Sequence, residues 1–407
     1  MKSIKKEFTN SHGDKISALL DLPPDQKPRA YALFAHCFTC SKNLNTVRNL
    51  SLGLTQEGIG VLRFDFTGLG NSEGNFADTN FSTNIADLVE AAQWLEKEHA
   101  APKLLVGHSL GGAAVLRASL EIDSVEAIAT IGAPAEPPHV KKLLKEGIEE
   151  IESSGEATVN ISGRSFKIKK QFLDDLEKHQ LSHVMEELRT PLLIMHSPQD
   201  SIVSVDNASQ IYNAAHHPKS FITLDGADHL MNNPPDSIYA GKMVASWASR
   251  YLSYEEEKKL DTDQQVVVHT SKDGYTSEIL AGKHHLLADE PEDVGGQNLG
   301  PTPYDLLVSG LGACTSMTLR MYADRKEWPL TDVVVHLKHE KRHAQDCEDV
   351  EKKEPKLDHI DRYIELHGDL SDEQRARLME IADKCPVHRT LHSQVVVNTE
   401  ERTAQEK

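Results

Sequence analysis

Gly107-His108-Ser109-Leu110-Gly111 stands directly behind the apolar run Lys103-Leu104-Leu105-Val106 and offers the residue types for nucleophilic chemistry. It reads as a strand that turns sharply into a helix, with a serine at the apex. A turn that tight forces the serine into strained backbone, and only glycine tolerates the crowding two residues to either side. The small residues Gly111-Gly112-Ala113-Ala114 then let the helix pack close on its sheet. A serine hydroxyl needs a base to take its proton and an acid to orient that base. Both are offered downstream. Residues 191–195 read as a short buried strand ending in His196-Ser-Pro-Gln-Asp200, and 220–224 as another ending in Asp225-Gly-Ala-Asp-His229. Open α/β sheets place their sites in loops at the carboxyl ends of strands. Ser109 is therefore assigned as nucleophile, Asp200 as orienting acid and His229 as general base. The plainer alternative has Asp200 closing a turn and His229 capping a helix. Asp206, Asp225 and Asp228 compete for the acid; the last two stand too near His229 in sequence to reach its far nitrogen easily.

The elements that must position these residues follow from the apolar pattern. Strand-like runs at 31–34, 61–64, 104–106, 127–131, 192–195 and 221–224 alternate with helical periods. That alternation predicts a mostly parallel sheet with helices on both faces. The order breaks between 134 and 189, where charged helical stretches at 140–151 and 171–188 flank two alternating runs around Ser162-Gly163, a predicted hairpin. This insertion falls between the serine and the acid. Its basic cluster, Arg164, Lys167, Lys169 and Lys170, reads as a solvated face, with attraction of anionic substrates as the alternative. A helix around 239–251 closes the first half. Residues 255–264 form a polar, charged connector suited to an exposed domain boundary.

Tyr31-Ala-Leu-Phe-Ala-His36, Arg63-Phe-Asp-Phe-Thr-Gly-Leu-Gly-Asn-Ser-Glu-Gly74, the serine turn and the chain order Ser, Asp, His together resemble the α/β-hydrolases of the serine esterase and peptidase type. The resemblance covers residues 1–254. It implies an acyl-serine intermediate released by water, and a cap at about 134–190 that decides which acyl or alcohol groups fit. It also implies an oxyanion hole built from the backbone N–H groups of Phe38 and Leu110. The sequence departs from the family at Cys37, where glycine normally follows the histidine. Cys37-Phe-Thr-Cys40 has the spacing of a redox pair or half a zinc site. With no second such pair, it reads as reduced and structural. One hypothesis attaches to it: oxidation to a disulfide would deform the oxyanion loop and silence an esterase.

A different pattern fills 265–407. An apolar run at 266–268, a turn at Asp273-Gly274 and a strand at 276–280 precede a long helix announced by Thr302-Pro303, with Asp305 completing a capping box. Tyr304, Leu307, Val308, Leu311, Thr315, Thr318 and Tyr322 recur at helical spacing, and Cys314 joins that stripe. A second helix at 371–384 puts Leu378, Ile381, Ala382 and Cys385 on one face before Pro386 ends it. Gly300-Pro-Thr-Pro-Tyr-Asp-Leu-Leu-Val-Ser-Gly-Leu-Gly-Ala-Cys-Thr315 and Cys385-Pro-Val-His-Arg-Thr-Leu391 resemble the two cysteine segments of the OsmC/Ohr family. The resemblance implies a small α+β domain that dimerises by intertwining. In peroxidatic members the first cysteine attacks a hydroperoxide, the second condenses with the sulfenic acid, and an external dithiol reduces the disulfide. By position Cys314 attacks and Cys385 resolves. Tyr304 stands where those members carry glutamate, and Lys283 is the nearest basic residue to the place of their arginine. A structural, dimer-forming role is the alternative. His339-Glu-Lys-Arg-His343 matches a zinc-protease pattern that works only on a helix; on a strand the histidines stand about 13 Å apart.

The chain has 407 residues, a net charge of −19 and five cysteines. No Lys/Arg cluster is long enough to track a phosphate backbone, which argues against nucleic acid. Met1-Lys-Ser-Ile-Lys-Lys-Glu-Phe8 lacks the apolar core of a secretory signal, and no apolar run reaches membrane-spanning length. The odd cysteine count argues against a disulfide-stapled secreted fold. The expectation is a cytoplasmic serine ester or thioester hydrolase without metal or cofactor, fused to an OsmC-like thiol domain and dimeric through it. The rival expectation is a cysteine peroxidase that consumes hydroperoxide with a dithiol reductant, its hydrolase half being secondary or a binding module.

Overall fold

The computed structural model describes all residues except 25, 162, 255–259, 273, 343–356 and 403–407. The chain divides into two compact units, Met1–Lys259 and Leu260–Lys407. Half of the expected connector, 255–259, lies outside the described residues.

The strands of the first unit are β1 (Lys2–Thr9), β2 (Lys15–Leu22), β3 (Ala30–Ala35), β4 (Ile59–Phe64), β5 (Pro102–His108), β6 (Ala127–Ile131), β7 (Glu156–Ile161), β8 (Arg164–Lys169), β9 (Leu192–His196) and β10 (Lys219–Thr223). Its helices are α1 (Asn45–Gln56), α2 (Phe81–Glu98), α3 (Leu110–Ala118), α4 (Ile148–Ser154), α5 (Lys170–Leu176), α6 (Leu181–Glu187), α7 (Asp206–Ala214) and α8 (Pro234–Ala248). Eight strands form one sheet in the order β1-β2-β4-β3-β5-β6-β9-β10, parallel from β4 to β10. The two N-terminal strands pair antiparallel at its edge. The apolar pattern does not signal β1, whose lysines suit an edge strand facing water.

Successive side chains of a strand face opposite sides, and here both sides are buried. Leu104 and Val106 of β5 pack with Val47, Leu50 and Leu54 of α1 and Val244 of α8. Leu105 between them packs with Leu88 of α2 and Val115 of α3. Helices thus cover both faces, as the alternation predicts. α1 and α8 meet backbone to backbone at Gly53 and Gly241: a Cβ on Gly53 would lie 2.7 Å from the Gly241 carbonyl carbon.

The insertion between β6 and β9 is less helical than its sequence suggests. A 3₁₀ segment, Pro137–Leu144, gives way at Gly147 to the short α4. β7 and β8 form the predicted hairpin, though Ser162 at its turn lies outside the described residues. The stretch 171–188 splits into α5 and α6, because Lys178 and His179 donate to carbonyls three residues back and close a turn instead of a helix.

The second unit holds an antiparallel meander of β11 (Val266–Thr270), β12 (Ser277–Ala281) and β13 (His284–Ala288), then α9 (Pro303–Arg325). It continues with the paired β14 (Leu330–Arg342) and β15 (Leu357–Gly368), then α10 (Asp372–Ala382) and α11 (Pro386–Leu391). The Asp273 side of its first turn lies outside the described residues. Thr302 and Asp305 form the expected capping box on α9. The buried stripe of α9 is narrower than predicted: Val308, Leu311, Thr315, Leu319 and Ala323 are buried, whereas Tyr304 and Leu307 are each 43% exposed. α10 stops at Ala382, and Pro386 opens a further short helix instead of merely ending one. His339 lies on strand β14, where it bonds Asp358 at 2.8 Å and stacks on Tyr304. Its counterpart His343 is outside the described residues.

Candidate active site

The turn from β5 into α3 holds Ser109 at φ 55°, ψ −126°, a left-handed φ that few side chains adopt. The flanking glycines are required by contact. A Cβ on Gly107 would lie 2.4 Å from the Gly111 carbonyl oxygen, and one on Gly111 would lie 2.4 Å from that of Ala35. Such strain costs of order 1–3 kcal/mol and persists only where the surroundings enforce it. Here the Ser109 N–H donates to Ile131 at 2.9 Å, tying the turn to β6.

The loop after β9 carries Asp200 and the loop after β10 carries His229. The structure brings both to the serine. His229 Nε2 lies 3.0 Å from Ser109 Oγ, and His229 Nδ1 lies 2.7 Å from Asp200 Oδ2. Asp200 Oδ1 accepts from the N–H groups of Ile202 and Val203 at 2.8 and 2.9 Å, so this carboxylate also closes a turn. Burial works to raise the Asp200 pKa, but the bonds from His229 and the two amides hold it below the ordinary carboxylate value. Two of the rival carboxylates are engaged elsewhere: Asp206 accepts from Ser204, and Asp228 from Asn232.

The sequence pattern does not reveal two further histidines that lie against this set, His108 beside His229 and His196 beside Asp200. His108 Nε2–H donates to the His229 carbonyl at 2.8 Å, and burial followed by repulsion from His229 pushes its pKa down to about 3. It is therefore neutral and braces the His229 backbone. His196 donates from Nε2 to Val203 at 2.7 Å, and burial lowers its pKa as well.

Phe38 and Leu110 line a narrow pocket together with Phe66, Leu69, Phe76 and Phe172. The Phe38 ring stacks on Phe172 of α5 at 5.3 Å and meets Phe76 at 5.8 Å. The inserted segment thus supplies one wall. Of its basic residues, Lys167 pairs with Glu156 and Lys169 with Asp78 at the surface. Arg164 instead donates to the Thr39 carbonyl.

The reduced state expected for Cys37 and Cys40 is corrected: they form a disulfide, with Cα atoms 5.4 Å apart. The Cys40 N–H donates to the Cys37 carbonyl at 3.1 Å, and this tight turn brings the two sulfurs within bonding geometry. Thr39 inside it has φ +62°. The loop continues into Lys42, whose ammonium and N–H both bond the fully buried Asp65. Arg63 beside it bonds Asp21 at 2.6 Å and donates to the Lys42 carbonyl. A charged pair on an otherwise apolar strand is the signal that could have pointed to this anchor. Removing one member of such a buried pair typically costs about 3–5 kcal/mol.

In the second unit Cys314 is half-buried and Cys385 buried, and both are free thiols. The contact to Cys385 Sγ comes from the residue after Cys314: Thr315 Oγ1 lies 3.6 Å away, and the His388 N–H lies 3.3 Å away. Arg362 on β15 donates to that same Thr315 hydroxyl at 3.0 Å, whereas Lys283 is exposed. Among the described residues no group of three or more potential metal ligands occurs. Nor is any described helix long and apolar enough to cross a membrane.

Residues 26–183 match the serine aminopeptidase S33 family and 295–400 the OsmC-like protein family. The crystal structure of the esterase domain from a Rhodothermus marinus protein is 47% identical, with a TM-score of 0.52, over 62% of this chain and 99% of that one. Est1E from Butyrivibrio proteoclasticus, bound to ferulic acid, shares the fold at 20% identity and a TM-score of 0.50, over 60% of this chain and 98% of its own. The mitochondrial palmitoyl-protein thioesterase ABHD10 of Mus musculus is 28% identical over 204 residues, 48% of this chain and 67% of its own length. This chain spans 62% of the length of its Rattus norvegicus counterpart. The chain belongs to the α/β-hydrolases of esterase type, with an OsmC-like domain in its second part.

Proposed function

We propose that the chain hydrolyses carboxylic esters or thioesters with an apolar acyl group through an acyl-serine intermediate. Ser109 Oγ attacks the acyl carbonyl while His229 Nε2 takes its proton, and Asp200 orients and stabilises the resulting imidazolium. The N–H groups of Phe38 and Leu110 receive the developing oxyanion, where one donor is typically worth about 2.7–4 kcal/mol. His229 returns the proton to the leaving alcohol or thiol, and water then releases the acid by the same route. One observation carries this reading: the bonds from Ser109 to His229 to Asp200, at 3.0 and 2.7 Å, stand beside an apolar cavity lined by both oxyanion candidates. The aromatic wall fits an apolar acyl chain. The thioesterase named among the relatives brings thioesters into the substrate class. In this reading the hydrolase spans 1–254 with its cap at about 134–190, the connector 255–264 and the OsmC-like domain 265–407. The protein works in the cytoplasm.

The OsmC-like part serves as a dimerisation module. Tyr304, Leu307, Met317 and Met321 leave one side of α9 apolar and exposed, and Val395, Val396 and Val397 are 58–80% exposed in a segment without helix or strand. Exposed apolar surface of that kind favours a second copy. A second reading, in which Cys314 and Cys385 consume organic hydroperoxide at the expense of a dithiol, is favoured by the Arg362–Thr315–Cys385 grouping. An ester panel run beside a hydroperoxide assay separates the two. Ser109→Ala abolishes p-nitrophenyl ester cleavage and spares peroxide consumption; Cys314→Ser does the reverse. Ester turnover that survives Ser109→Ala overturns the main reading.

A further inference from the structure

Segment 37–40 combines features that ester hydrolysis alone leaves without a purpose. It carries Phe38, the candidate oxyanion donor, and a disulfide closes a ring across it. Inside the ring sits Thr39 at φ +62°. A left-handed residue at the third place of a four-residue turn is what a type II turn demands, and glycine is the residue that fills it freely. Threonine is branched at Cβ and leaves that region when unrestrained. Several restraints hold it: the disulfide, the Arg164 guanidinium on the Thr39 carbonyl, and the Phe38 ring held against Phe76 and Phe172. Of these, the disulfide alone is chemically reversible. Cys37 is buried while Cys40 is half-buried, so the Cys40 sulfur is the accessible end.

We propose that the Cys37–Cys40 disulfide is a redox-controlled brace of the oxyanion loop, and that a dithiol reductant opens it and slows ester turnover. The proposal rests on the roles given above to Ser109 and Phe38. One thiolate of the dithiol attacks the Cys40 sulfur and displaces Cys37 as a thiolate, which takes up a proton. The second thiol then displaces Cys40 in turn, leaving two protein thiols and a cyclic disulfide of the reductant. Two electrons pass to the protein. With the brace open, Thr39 relaxes from its left-handed conformation and the Phe38 N–H withdraws from the oxyanion. The sense is opposite to the expectation drawn from sequence, because the oxidised loop coexists with an assembled Ser109–His229–Asp200 set.

The test uses the full chain, with and without dithiothreitol, and peptide mapping after alkylation to follow the 37–40 bond. On reduction kcat falls about tenfold or more, bounded by the 10²–10³ that loss of one oxyanion donor costs, while KM changes little. Reoxidation with oxidised glutathione restores it. The double variant Cys37→Ala/Cys40→Ala is slow and indifferent to reductant. Adding Thr39→Gly to it recovers turnover, because glycine keeps the left-handed turn without a brace. An unchanged kcat after mapping shows the bond open overturns the proposal, as does failure of Thr39→Gly to rescue. Hydrogen exchange at the 38–41 amides gives a second readout that needs no ester: reduction speeds it if the brace is real and leaves it unaltered if not. Absence of ester turnover in both states rejects the esterase reading instead.

Discussion

Asp200→Asn isolates charge and tautomer at a single atom. Oδ1 of Asp200 accepts from Ile202 and Val203, and Oδ2 faces His229 Nδ1 at 2.7 Å. An asparagine keeps the two amide bonds through its carbonyl oxygen, so the loop holds. Its NH₂ group then faces Nδ1 and donates, which moves the ring proton to Nε2, the nitrogen 3.0 Å from Ser109 Oγ. The imidazole can no longer accept the serine proton without first reversing its tautomer. The imidazolium formed in the transition state also loses its counter-charge, an attraction of about 4 kcal/mol at 4 Å and an effective dielectric constant of 20. Together these predict a loss of about 10⁴ in kcat, the size of the same change in a serine protease, or about 5.5 kcal/mol. Hydrolysis of p-nitrophenyl butyrate measures it, with thermal melts run alongside. Asp206→Asn, Asp225→Asn and Asp228→Asn serve as controls and leave kcat within about twofold. A loss under about tenfold in Asp200→Asn, or an equal loss in any control, refutes the assignment.

Three further outcomes are expected. Gly111→Ala forces a methyl against the Ala35 carbonyl at 2.4 Å, so thermal melts show a loss of about 1–3 kcal/mol or more, with ester turnover falling alongside. Phe172→Ala removes the cap's ring from the cavity. It costs up to about 3–5 kcal/mol of stability and shifts preference toward longer p-nitrophenyl esters in a kcat/KM series; an unshifted profile moves the acyl group elsewhere. The folded pKa of His108, about 3, lies below the unfolded value near 6.5, so its contribution is complete above about pH 6.5 and fades as pH falls toward 3. Urea titrations therefore show about 2 kcal/mol less stability from this group at pH 5 than at pH 8, and His108→Gln flattens that part of the profile.

What was legible in the sequence was local. The serine turn shows because its glycines answer contacts within four residues of each other and on the adjoining strand. The strands leading to Asp200 and His229 show because they are short, apolar and end in polar loops. The sheet's parallel core shows through its alternation with helices, whereas β1 is lysine-rich and carries little apolar signal. The disulfide did not show, because C-x-x-C spacing fits a free pair as well as a bonded one until a turn closes it. Arg164 and His108 acquire their roles from partners more than a hundred residues away, the Thr39 and His229 carbonyls. Spacing holds no trace of such contacts. The buried α9 stripe is narrower than its apolar spacing because Tyr304 and Leu307 have core-like side chains on a partly exposed face.

The meeting of Gly53 and Gly241 reaches further than helix packing. α1 leads away from the segment that bears Phe38, and α8 begins just past His229. Thr46 at the start of α1 donates to the Leu230 carbonyl at 2.5 Å, and Asn49 reaches Ser237 at 2.9 Å. Any side chain added where those two glycines touch would wedge the pair of helices apart from behind the sheet. His229 and the N–H group of Phe38 would then drift independently, so under the proposed mechanism a lesion on the far wall of the molecule would register as lost chemistry while Ser109 itself stayed in place.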